Sequence, residues 1–141
     1  MTFFRHFKTK AQVLLDDPYD PVIAASIAGQ PRSLRPLVRI VAGVREAWAA
    51  LPEPTSDLQR RRVRVVAGTP SVWAEMQANN AKTEQLIVDQ LVADGTGRLV
   101  ARAAAAAVLA AITAALLEWS QGDAGSIGDA VDCALAVVEG L

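Results

Sequence analysis

From Ala103 to Leu117 the chain runs without a charge, bounded by Arg102 and Glu118, and Thr113 is the only polar side chain inside. Alanine dominates this run, and alanine is the best helix former. The stretch is shorter than the ~20 apolar residues that span a bilayer, so it reads as a core helix and no membrane partner is expected. On a helix extended to Arg98–Ser120, Leu99, Ala103, Ala106, Ala110, Thr113 and Leu117 form one stripe. Ala105, Leu109, Ile112, Leu116 and Trp119 form a second stripe on another face. A helix that is apolar nearly all round must be covered on every side. In a chain of 141 residues, either intrachain neighbours or a second copy must supply that cover.

The remainder carries helix-type periodicity, and no segment alternates as a strand does. Proline and glycine mark the breaks. Thr9 to Leu15 reads as a helix, broken by the Asp16–Pro21 cluster, with Asp20 able to cap a continuation that has Pro21 at its first position. A helix over roughly Ser33–Ala50 places Leu37, Val41, Val44, Trp48 and Leu51 on one face. After Pro52-Glu53-Pro54, a helix capped within Thr55–Asp57 ends near Gly68, and a long one follows Thr69-Pro70 to Ala93. Asp94-Gly95-Thr96-Gly97 is a turn, and Gly122–Gly125 leads into a final amphipathic helix. The expectation is an all-α bundle of about six or seven helices. In the last two helices Leu109, Ile112, Leu116, Ile127, Val131, Ala134 and Val138 are the candidate homodimer interface, as half of an intersubunit four-helix bundle.

Net charge is −1, which does not suggest a general nucleic-acid binder, although Arg5, Lys8 and Lys10 make the N-terminus basic. The single cysteine, Cys133, excludes an intramolecular disulfide and fits a cytoplasmic protein; its place beside Ala134 and Leu135 predicts a small buried hydrophobe. His6 is the only histidine, so neither a His-rich metal site nor a Ser-His-Asp triad is available. No Gly-rich phosphate loop appears, no cofactor is implied, and an enzyme is not expected. Four arginines within Arg60–Arg64 wrap around a helix, which predicts a solvated or ion-paired surface in preference to a nucleic-acid patch. Trp73, Met76, Asn80, Thr83 and Ile87 fall along one side of their helix. With Thr113, Trp48 and Trp119 they make a candidate pocket for a small apolar molecule, and ordinary core is the alternative.

Thr2, Phe4, His6, Phe7 and Lys10 stand in a pattern that resembles the junction between the recognition helix and the next helix of TetR-family transcription regulators. The segment Arg60-Arg61-Arg62-Val63-Arg64-Val65-Val66 followed by Thr69-Pro70 resembles the mycofactocin-regulator-like subgroup. The alanine-rich helix ending in Glu118-Trp119 resembles the family's dimerisation helix. This resemblance implies a headpiece remnant over residues 1–15 and a regulatory, ligand-binding and dimerising domain over 16–141. It implies phosphate contacts from Thr2, Arg5, His6 and Lys10 in an intact headpiece, contacts that position a protein on DNA without reading its sequence. A family member has about two further helices before this motif, and a helix-turn-helix needs both of its helices. Operator DNA is therefore an expected partner only where those helices are present. A ligand-responsive repressor is expected, with a stand-alone ligand-binding and dimerisation module as the other reading.

Overall fold

A computed structural model describes residues 19–50, 56–122 and 125–140. These form α1 (Tyr19–Gly29), α2 (Pro36–Ala49), α3 (Ser56–Gly68), α4 (Pro70–Ala93), α5 (Arg98–Gln121) and α6 (Ile127–Glu139), and there is no strand among them. The fold is an all-helical bundle, as the periodicity predicts. The expected headpiece remnant, with Thr2, Arg5, His6 and Lys10, lies outside the described residues, as does the Pro52–Pro54 break.

The breaks follow from backbone chemistry. Pro36 opens α2 and Pro70 opens α4, where the missing N–H costs no helical hydrogen bond. This places the start of α2 three residues beyond the expected Ser33, because proline is not tolerated in a helix interior. At the end of α4, Thr96 N–H donates to the Leu91 carbonyl and Gly95 N–H to that of Val92, at 2.9 and 3.0 Å. The pair is a Schellman motif, and Gly95 supplies its left-handed residue at φ +100°. Ser126 caps α6 by accepting from the Asp129 N–H at 3.0 Å.

Helix α5 lies at the centre, packed on α2, α3, α4 and α6, while α1 lies on α2 and α4. Its buried residues are Ala101, Ala104, Ala105, Val108 and Ala115, with Trp119 and Ser120 at its end. Around it pack Ile23 and Ile27 of α1, Ile40, Val41 and Val44 of α2, Ile87, Val88 and Leu91 of α4, and Val131, Leu135 and Val138 of α6. The closest approach is between α1 and α2. A Cβ placed on Gly43 would stand 2.6 Å from the Ile27 Cα and 2.7 Å from its N.

Two turns flanking α5 are tied by arginine. Asp94, at the end of α4, pairs with Arg39 at 2.7 Å and Arg32 at 3.0 Å and accepts from Gln90 at 3.0 Å. Arg39 is buried, also donates to the Ala28 carbonyl, and leaves its Nε without a partner. By length and hydropathy α5 could cross a bilayer, with 28 % of its most apolar window buried in one chain.

Candidate functional site

The inward side of α4 carries Trp73, Met76, Asn80, Thr83 and Ile87, in varied surroundings. Ile87 is in the main core. Thr83 is buried, and its hydroxyl donates back to the Asn79 carbonyl at 3.3 Å. Thr113 on α5 does the same to Leu109 at 2.9 Å, the usual way a helix satisfies an inward hydroxyl. Across the two helices, Asn80 Nδ2 donates to Thr113 Oγ1 at a long 3.5 Å. Trp73 and Met76 pack with Val66 and Val72 in a small second cluster between α3 and α4. The structure thus joins Asn80 to Thr113 and seats Trp73 and Met76 at a thinly packed end.

The other two tryptophans stand elsewhere. Trp119 is buried at the end of α5, with its indole N–H donating to the Gly125 carbonyl at 3.1 Å. Trp48 lines a cleft of about 420 Å³ between α2 and α6, together with Val44, Arg45, Ala49, Val131, Asp132 and Leu135. On its rim Arg45 donates to Asp132 at 3.2 Å and to Glu139 at 2.7 Å. The hydrogen bond that Arg45 donates to Glu139 leads the interactions that raise the Arg45 pKa above its ordinary value.

The arginine run is not simply a solvated surface. Arg60 is 6 % exposed. Its guanidinium lies 4.6 Å from the centre of the Trp119 ring and donates to the carbonyls of Gly122 and, at 2.7 Å, Gly125. Arg64, one turn on, donates to the Ser120 carbonyl at 2.5 Å. Both close on the C-terminus of α5, where orphan carbonyls and the helix dipole attract cations. The i, i+4 spacing of Arg60 and Arg64 could have signalled this; the count of arginines concealed it. Arg61 remains exposed.

The candidate interface residues divide. Ile127, Val131 and Val138 are buried within the chain, and Leu109, Ile112, Leu116 and Ala134 pack half-buried against the same core. The register of α6 turns Val131, Leu135 and Val138 inward, so those branched side chains already have partners. The surface left open is the other one. It comprises Leu99, 82 % exposed, with Val100, Ala103, Ala110 and Ala114 on α5, and Cys133, Ala136 and Val137 on α6. Cys133 is therefore exposed and not the buried hydrophobe its neighbours suggested. Among the described residues no group of three or more His, Cys, Asp or Glu is placed to hold a metal ion.

Residues 34–140 match the family described as the MftR C-terminal domain, a TetR-type C-terminal domain. No curated protein sequence matches the chain.

Proposed function

Because the chain belongs to the TetR family, through a C-terminal domain of the MftR type that runs from residue 34 to 140, we propose that it is a ligand-responsive transcription regulator acting as a repressor. That family match is the observation that carries the reading; it favours a regulator over an enzyme and a soluble, cytoplasmic protein over a membrane one. Pairing as a homodimer is supported by the apolar stripe of α5, which one chain leaves uncovered from Leu99 to Ala114. The α6 face of Cys133, Ala136 and Val137 offers a further apolar surface.

The effector is a small apolar molecule held where α4 meets α5. Trp73, Met76 and Ile87 supply apolar contact, and the Asn80–Thr113 pair supplies the polar contacts that orient it. Such a molecule acts only through different affinities for two conformations of the dimer. Operator phosphates would be held by Thr2, Arg5, His6 and Lys10 within an intact headpiece.

The test is to mix protein isolated from its source cells with sheared genomic DNA and sequence what is retained at two salt concentrations. Twofold-symmetric sites whose recovery falls steeply with salt are expected. A stable dimer that retains no DNA would overturn the repressor reading and leave a ligand-binding and dimerisation module.

A further inference from the structure

The cleft between α2 and α6 involves neither α3 nor α4, so it is separate from the effector region proposed above. Its floor is apolar: Val44, Val131 and Leu135 are buried, and Trp48 forms part of the wall. Its lining holds Arg45 and Asp132, and Arg45 is also paired with Glu139, which is not itself a lining residue. The guanidinium already meets both carboxylates, so the three groups together carry one uncompensated negative charge. The surroundings add to it. Helix α6 bears Asp129, Asp132 and Glu139 and no basic residue. On α2, Glu46 accepts from Gln30, and the other arginine, Arg39, is committed to Asp94. Asp132 is 67 % exposed, so an incoming group can reach its carboxylate without breaking into the core.

An anion entering here would meet two carboxylates and an arginine that is already paired. A cation would meet an excess of negative charge and an indole, whose ring attracts cations. We propose that the α2–α6 cleft binds a small organic cation, an ammonium group carried on an apolar body. The body would occupy the Val44–Leu135 floor, with the charge at Asp132 and Glu139. A void of about 420 Å³ lies within the usual size range of small-molecule sites. This inference does not depend on DNA binding and survives if the repressor reading fails.

Benzyltrimethylammonium is the probe, titrated into the whole chain and followed by calorimetry and tryptophan fluorescence, with phenylacetate as the anionic counterpart. Saturable binding of the cation alone is expected, weakened about tenfold by the double substitution Asp132→Asn/Glu139→Gln. Trp48→Phe should remove most of the fluorescence change, while Trp73→Phe should leave it intact. Circular dichroism establishes that each variant remains helical; if the double variant does not, the single Asp132→Asn gives the same reading. Absence of saturable cation binding, equal affinity in the carboxylate variants, or a preference for phenylacetate overturns the proposal.

Discussion

Gly43 and Asp94 show how single positions set the packing here. A methyl group on Gly43 would favour the helix by about 1 kcal/mol, since glycine is the poorer helix former. It would also stand within 2.7 Å of the Ile27 backbone, and backbone atoms cannot turn aside as a flexible side-chain end can. The clash outweighs the propensity, so Gly43→Ala should destabilise the chain by about 1–3 kcal/mol in urea unfolding. At Asp94, hydrogen bonds from Gln90 and Arg39 hold the carboxyl below its ordinary pKa of 3.8. A depressed carboxylate contributes fully above its unfolded pKa and loses that contribution as pH falls toward the folded value. Melting temperature should therefore fall as pH drops below 3.8. In Asp94→Asn this acid component should be missing, and stability at neutral pH should already be lower because buried Arg39 has lost its counter-ion.

At the scale of elements, the tie between α3 and the end of α5 rests on the shape of one guanidinium. Arg60 reaches two carbonyls and covers an indole at once. Arg60→Ala should cost roughly 2–3 kcal/mol by thermal unfolding, the range of a charge-assisted hydrogen bond. Arg60→Lys should recover little of it, because an ammonium lacks the planar fork. The boundaries at Pro70, Gly95 and Gly122 were readable because these residues break helices for local reasons that no distant contact overrides, whereas the start at Pro36 was placed three residues early, at Ser33. The orientation of α5 was not readable. With apolar groups on every side, its sequence names two equivalent stripes, and only packing on α2, α3, α4 and α6 decides between them. The same ambiguity assigned Val131 and Val138 to a partner when Leu135, between them in register, draws both into the chain's own core. Arg60 was misread for a related reason: charge argues for solvent unless a helix end with unsatisfied carbonyls lies opposite, and that neighbour is distant in sequence. Of the candidate pocket, helical spacing placed Trp73, Met76, Asn80, Thr83 and Ile87 on one side of a helix, whereas the contact of Asn80 with Thr113 and the separation of Trp48 from Trp119 depended on tertiary arrangement.

For the whole molecule, the open α5 stripe makes association the sharpest test of the reading. Ala110→Glu places a charge at an exposed position of the stripe. Sedimentation equilibrium should show a dimer for the unaltered protein and a monomer for this variant, with helical content retained; Arg61→Glu on α3 should leave the dimer in place. The two turns that bracket α5 carry a different consequence. One is secured by a carboxylate, Asp94, and the other by arginines bonded to backbone carbonyls. Protons can neutralise the first and have nothing to neutralise in the second. Acid should therefore undo this molecule from one side, freeing the α4–α5 corner while the α5–α6 corner stays latched. Hydrogen exchange in mild acid would register this as faster exchange at Gly95 and Thr96 with Trp119 still protected.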